Sequence, residues 1–100
     1  SDGKLLLRLG MLLYGGSRYS ESIDLFKIRE ALAEGEEDRF LNNAWLGLLH
    51  DLIGKRDEAK RFYSISLEHS EQQAMRHDQY RLLLNRAWLL ERLNKPYTRP

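Results

Sequence analysis

The sequence predicts an all-α protein, and three observations lead to this prediction. The only prolines are Pro96 and Pro100, at the end of the hundred residues, so every earlier position is compatible with a helix. β-branched residues are few and leucine is abundant, which favours helix over strand. Apolar residues also recur at spacings of three and four, as they do on one face of a helix.

Breaks and capping residues divide this pattern into five helices. A Gly-Gly-Ser break at residues 15–17 ends the first, and Gly35 and Gly54 precede the third and fourth. Ser70, with Gln73 three residues later, fits a capping box and predicts the start of a fifth helix. Short connections favour antiparallel packing of successive helices. The predicted helices cover residues 4–14, 18–33, 38–53, 56–69 and 71–93.

Each predicted helix carries apolar residues that can bury one of its faces. In chain order, these stripes contain Leu6, Leu9 and Leu13; Ile23, Leu25 and Phe26; Leu41, Trp45, Leu48, Leu49 and Leu52; Ala59, Phe62 and Tyr63; and Leu82, Leu83, Leu84, Trp88, Leu89, Leu90 and Leu93. The fifth helix is apolar on more than one face.

The composition is that of one small domain without an evident electrostatic partner. Hydrophobic residues make up 42% and charged residues 31%, and the net charge is +1. That balance does not indicate nucleic acid or an anionic membrane as a partner, and no apolar run is long enough to span a bilayer. Cysteine is absent, which rules out disulfides without fixing the compartment. With no recognisable signal peptide, the cytoplasm is favoured.

Small and aromatic residues recur with one spacing in the two halves of the sequence. The matching sets are Gly10, Ser17, Ser22 and Phe26, and then Gly47, Gly54, Ala59 and Tyr63. In each set the later residues lie 7, 12 and 16 positions after the first, and Ala87 with Asn94 begins a third set. A repeat of this size, with two helices per copy, is typical of a stacked helical array.

The order of these residues predicts how the two helices of one copy pack. The first small residue allows the second helix to approach closely, and the second ends the first helix in a left-handed cap. The third small residue opens the facing surface of the second helix, and the aromatic residue fills the remaining gap. The alternative is a generic five-helix bundle in which these spacings coincide.

These residues resemble the tetratricopeptide repeat. The second copy carries the resemblance best, and the first copy matches well: the residues are Leu46, Gly47, His50, Gly54, Glu58, Ala59 and Tyr63, and then Leu9, Gly10, Tyr19, Ser22 and Phe26. The copies exceed the family's usual length of about 34 residues, His50 and Leu13 replace an aromatic residue, and Glu71 stands where a proline normally closes the repeat.

The resemblance implies a short right-handed α-solenoid in a single domain, residues 1–100. Repeat 1 would cover about 4–34, repeat 2 about 38–69, the terminal helix about 71–94 and a tail 95–100. It also implies non-catalytic protein binding in a concave groove lined by the first helix of each repeat.

In the first helix of each repeat, the groove face is located from the small residue. It contains the side chains at positions −3, +1 and +4 relative to that residue. The predicted groove residues are Leu7, Met11 and Tyr14; Ala44, Leu48 and Asp51; and Leu84, Trp88 and Glu91, with Arg81 and Asn85 at the edge. This mostly apolar surface with an acidic rim suits an amphipathic helix or an apolar extended peptide. Trp88 and Met11 are the strongest candidates for ligand contacts, whereas Leu7, Leu48 and Leu84 have packing between helices as an alternative.

Cochaperone members of the family grip a C-terminal carboxylate with Lys, Arg and Asn. The matching positions here are Leu7, Met11, Trp45, Arg81 and Asn85. Only Arg81 keeps the required charge, so binding of chaperone tails is not expected.

Two other function classes remain as alternatives. Leu82, Leu89 and Leu93 lie on one face of the last helix, where no further helix follows, and predict a homodimer or docking interface. RNA binding is the third class, since Lys55, Arg56, Lys60 and Arg61 form a basic cluster. Acidic residues interleave with this cluster, which favours a solvated, partly self-paired face.

Nothing in the sequence predicts an enzyme. The three histidines, His50, His69 and His77, do not form a metal-binding motif, and no nucleophile elbow or phosphate-binding loop is present. We expect no cofactor, no metal, no catalytic residue and no nucleic-acid or membrane partner.

Overall fold

The structure is a computed structural model that describes residues 2–33, 35–76 and 80–96, with side chains described in these ranges except at 36, 70–76 and 80–85. Within these ranges every regular element is an α-helix, which confirms the predicted all-α class. The five helices are α1 (Asp2–Gly15), α2 (Tyr19–Ala31), α3 (Gly35–Leu52), α4 (Arg56–Arg76) and α5 (Tyr80–Asn94).

The boundary between the last two helices differs from the prediction. Helix α4 continues through residues 70–76, and α5 begins at Tyr80. The capping-box pattern at Ser70 is therefore not a helix start. Residues 71–76, Glu-Gln-Gln-Ala-Met-Arg, are all good helix formers and include no glycine or proline, so nothing local ends the preceding helix.

Each helix packs against its neighbours along the chain: α1 with α2, α2 with α3, α3 with α4, and α4 with α5. The molecule measures 35 × 34 × 20 Å, so its short axis corresponds to about two helix diameters. Two apolar clusters fill the interior. One contains Ile23, Phe26, Leu46 and Leu49, and the other contains Phe40, Ala59, Tyr63, Leu67 and Leu89.

The two mid-helix glycines are sites of close helix approach, as the repeated spacing predicts. A Cβ added at Gly10 would lie 2.7 Å from Cε2 of Phe26, and one at Gly47 would lie even closer to the ring of Tyr63. Real Cβ atoms essentially never come within 3.0 Å of another heavy atom in this way. Each glycine therefore provides the space for the aromatic ring that lies 16 residues later.

The third small residue of each set is also buried, because Ser22 and Ala59 are both fully shielded from solvent. The Ser22 hydroxyl donates a hydrogen bond of 2.7 Å to the Gly10 carbonyl. This bond satisfies the buried hydroxyl and joins α2 to α1 at their close contact. Further along, the Ser66 hydroxyl donates to the Phe40 carbonyl at 2.6 Å and joins α4 to α3 in a similar way.

The turns after α1 and α3 have the same backbone geometry. Ser17 and Gly54 both have positive φ, 61° and 82°. The next amides, of Arg18 and Lys55, each donate at 2.8 Å to the carbonyl five residues earlier. A Schellman motif has two hydrogen bonds, and this is the one that spans five residues. It confirms the predicted left-handed caps.

Helix α5 does not present the apolar face that the sequence predicts for an oligomer. Leu89 is fully buried in the cluster with Tyr63, and Leu93 packs against that cluster, so the stripe faces the interior of the chain itself. The side chain of Leu82 lies outside those that the structure describes. None of the helices in the described ranges has both the length and the apolar character needed to cross a membrane.

Candidate functional site

An apolar cleft lies between α3 and α5. It encloses about 530 Å³, including the space that is open to solvent. The described residues that line it are Phe40, Leu41, Ala44, Trp45, Leu48, Trp88 and Leu89. No charged side chain is among them, so the cleft is suited to an apolar ligand surface.

Three predicted groove residues lie together in this cleft. Ala44 and Leu48, one turn apart on α3, face Trp88 of α5 across it. Trp88 keeps 37% of its surface exposed, which is unusual for the largest apolar side chain. The small side chain of Ala44 leaves space between the larger side chains of Leu48 and Trp88. The exposed ring in the cleft is that of Trp88.

Both tryptophans of the chain line the cleft, and each is held by aromatic neighbours. The Trp45 ring stacks on Phe26 with centroids 5.5 Å apart and meets Tyr14 edge-on at 5.1 Å. Trp88 meets Tyr63 edge-on at 6.0 Å. These contacts fix the rings in place, so a ligand would meet preformed walls.

The predicted groove residues of α1 have other surroundings. Leu7 and Tyr14 pack against the cluster of Ile23, Phe26, Leu46 and Leu49, in agreement with the packing alternative for Leu7. Met11 is 45% exposed and is not among the residues that line the cleft. The described part of the cleft is therefore built by α3 and α5 alone.

Asp51 takes no part in an acidic rim of the groove. Its carboxylate, only 1% exposed, accepts hydrogen bonds from Arg56 at 2.9 Å and from the Tyr63 hydroxyl at 2.8 Å. Burial, the hydrogen bond to Asp51 and the negative charge of that carboxylate raise the pKa of Tyr63. The Asp51 carboxylate thus links α3 to two side chains of α4.

The remaining predicted groove residues lie on α5. Glu91 is exposed and pairs with Arg92 at 3.0 Å. The side chains of Arg81, Leu84 and Asn85 lie outside those that the structure describes.

Four residues that line the cleft were not predicted to do so: Phe40, Leu41, Trp45 and Leu89. Leu41 and Trp45 belong to the apolar stripe of α3, so the sequence contained a signal for them. Phe40 and Leu89 are core residues whose sides border the cleft. Their role depends on the angle between α3 and α5, which the periodicity of a single helix does not determine.

His50 acts as a packing residue. Its ring stacks on Phe62 with centroids 4.9 Å apart, in the place of the aromatic residue that the family resemblance leads one to expect. Its Nδ1 lies 2.7 Å from the Leu46 carbonyl, and its Nε2 lies 3.3 Å from Glu58. Among the side chains described, no three His, Cys, Asp or Glu residues come together as metal ligands.

The fold and the cleft thus define an all-helical protein with an apolar cleft between two of its helices. No protein-family model matches the chain, and no curated protein or solved structure is detectably similar to it. The tetratricopeptide resemblance therefore stays a prediction based on residues and their spacing.

Proposed function

We propose that this protein is a non-catalytic binding module that holds an amphipathic helix or an apolar extended peptide in the cleft between α3 and α5. The observation that carries the proposal is Trp88, which is 37% exposed and faces Leu48 and Ala44 across the cleft. An exposed tryptophan beside an apolar depression is a common centre of binding energy in protein interfaces.

We also propose that the helices form a short right-handed solenoid of the tetratricopeptide type. The paired contacts Gly10–Phe26 and Gly47–Tyr63 support this, because one packing rule is used twice. The identical turns at Ser17 and Gly54 support it as well. In such an array, α3 and α5 would be the first helices of successive repeats, and a cleft between them would lie on the binding side.

The proposal is tested with peptides selected from a displayed random library against the full chain. Since both tryptophans line the cleft, a peptide that enters it should shift the intrinsic tryptophan emission to shorter wavelength. Trp88→Ala should weaken binding about tenfold or more, as hot-spot truncations do. The oligomeric state, measured by light scattering, should remain that of the wild type.

A second variant separates loss of binding from loss of folding, because Trp88 also contacts Tyr63. Ala44→Arg adds a bulky charge to the cleft without removing a core group, so it should abolish binding and leave the circular dichroism unchanged. Leu12→Ala is the matched control, since Leu12 is 71% exposed on α1. Selected peptides that bind Ala44→Arg as tightly as the wild type would show that the cleft is not the binding site.

A further inference from the structure

A strip of exposed residues on α5 has the same register as strips on α1 and α3 that the following helix covers in part. On α5 it consists of Ala87, Leu90, Glu91 and Asn94, and all four are exposed. The same register gives Gly10, Leu13, Tyr14 and Ser17 on α1, and Gly47, His50, Asp51 and Gly54 on α3. The α5 strip is thus the third copy of this register, and in the first two copies the leading residue, Gly10 or Gly47, is buried under the following helix.

The structure shows what occupies the second copy. Tyr63 lies against Gly47, Phe62 stacks on His50, and the Tyr63 hydroxyl donates to Asp51 at 2.8 Å. Under this cover His50 is only 3% exposed. The covering helix thus presents a small residue, Ala59, followed three and four residues later by two aromatic rings.

The first copy is occupied in the same manner. The ring of Phe26 lies against Gly10, and the small residue four positions earlier, Ser22, donates to the Gly10 carbonyl. Both covering helices therefore carry a small residue with an aromatic residue four positions later.

On α5 the equivalent surface has no cover among the described residues. Leu90, at the position of His50, is 44% exposed, whereas the preceding residue, Leu89, is fully buried. At about 100° per residue, Trp88 lies a quarter-turn away from Ala87. None of the four strip residues is among the described residues that line the cleft, so the inference does not depend on the proposed function.

We infer that this strip docks an amphipathic helix of a partner chain, one with a small residue followed by an apolar residue at the third and a tyrosine at the fourth position. Continuity with the α1–α2 and α3–α4 interfaces specifies this chemistry. Ala87 is the smallest side chain of the strip, so a ring can pack on it, and its Cβ keeps that ring farther from α5 than the Tyr63 ring lies from Gly47. Leu90 takes the place of His50 as the apolar neighbour.

Glu91 determines that the aromatic residue is a tyrosine. It occupies the position of Asp51, which accepts the hydroxyl of Tyr63. The Glu91 side chain is 59% exposed, and its Oε1 accepts a hydrogen bond of 3.0 Å from Arg92. A carboxylate has about four acceptor positions, so Glu91 can accept a phenol hydroxyl in addition.

The probe for this inference is a synthetic peptide with the sequence of residues 55–69, capped at both ends and labelled for fluorescence anisotropy. It carries Ala59, Phe62 and Tyr63 and is titrated with the full chain. Ala87→Gln should weaken its binding about tenfold or more, because the longer side chain fills the place of the ring. The matched control is Ala31→Gln, since Ala31 is an exposed alanine on α2, and this variant should bind like the wild type.

Two further titrations test the chemistry of the contact. A peptide with Tyr63→Ala should bind about tenfold more weakly, and one with Tyr63→Phe about fivefold more weakly, which is the effect of one hydrogen bond. In the protein, Glu91→Gln should reduce the preference for tyrosine over phenylalanine.

Three results would overturn the inference. The first is no binding at millimolar protein, and the second is equal affinity of the peptide for the wild type and Ala87→Gln. The third is a dimer of the chain that Ala87→Gln dissociates, since the occupant of the strip would then be a second copy.

Discussion

At the scale of single residues, Tyr63 connects α4 to both α3 and α5. Its ring occupies the space left by Gly47, its edge contact holds Trp88, and its hydroxyl donates to Asp51. The spacing of small and aromatic residues predicts the first of these contacts. The other two were missed, because the sequence places Asp51 on the same helix face as the groove residues and does not show which way its carboxylate turns.

The raised pKa of Tyr63 predicts a loss of stability at high pH. In the unfolded chain the phenol has a pKa of about 10, whereas the folded chain retains the proton to higher pH. The folded state therefore binds more protons than the unfolded state above about pH 10, and this part of the stability decreases as the pH rises further.

Urea unfolding of the wild type and Tyr63→Phe at pH 9 and about pH 11 measures this contribution, because the variant cannot ionise at this position. Below about pH 10 the wild type should be the more stable protein, by about 1 kcal/mol. Above it, this advantage should decrease by as much as about 1.4 kcal/mol per pH unit. A difference that is the same at both pH values would contradict the prediction.

At the scale of helices, the spacing in the sequence identifies which pairs of helices come close and through which residues. Four small residues, Gly10, Ser22, Gly47 and Ala59, all lie at such contacts. The end of α4 was not predicted, because the capping motif at Ser70 is a local pattern that also occurs inside helices. The spacing that repeats in both halves of the sequence was thus more informative than the capping box, which occurs once.

Gly47→Ala should destabilise the protein although alanine favours helix. Alanine at this position gains about 1 kcal/mol in helix propensity, but its Cβ would overlap the ring of Tyr63. That ring is fully buried and tied to Asp51, so it cannot move aside easily. Since overpacking costs about 1–3 kcal/mol, we expect a net loss of up to about 2 kcal/mol in the free energy of unfolding once the gain in helix propensity is subtracted.

The matched control is Gly15→Ala at the end of α1, where an added Cβ meets nothing within 4 Å. This variant should be as stable as the wild type or slightly more stable in the same denaturation experiment. If both variants gained stability equally, Gly47 would have no role in the approach of α4 to α3.

At the scale of the whole molecule, Arg56 joins three helices. From the first turn of α4 it pairs with Asp51 of α3 at 2.9 Å. It also donates to the carbonyls of Arg92 and Leu93 at 2.8 and 2.9 Å. These carbonyls lie in the last turn of α5, whose partial negative charge a guanidinium stabilises. Arg56 thus contributes to holding α5 in the position that closes the cleft.

The sequence did not predict this link. Arg56 was interpreted as part of a solvated basic cluster with Lys55, Lys60 and Arg61, because neighbours along the chain suggest a shared surface. Its side chain is only 26% exposed, and its partners come from α3 and α5. Composition and periodicity predict helices and their close contacts, but a long polar side chain can reach partners that no local pattern identifies.

Arg56→Gln should therefore lower both the stability of the chain and the order of α5. The buried Asp51 would lose the charge and hydrogen bonds of Arg56, and two carbonyls would lose donors, so we expect a loss of about 2–4 kcal/mol in the free energy of unfolding. Arg18→Gln is the control, because Arg18 pairs with Glu21 on the surface, where such a pair contributes about 0–1 kcal/mol.

Hydrogen exchange supplies the second measurement. The amides of α5 should exchange faster in Arg56→Gln than in Arg18→Gln, while those of α1 remain alike, since only the former change releases α5 from α3 and α4. Equal exchange of α5 in the two variants would mean that apolar packing of Leu89 and Leu93 is sufficient to hold the helix in place.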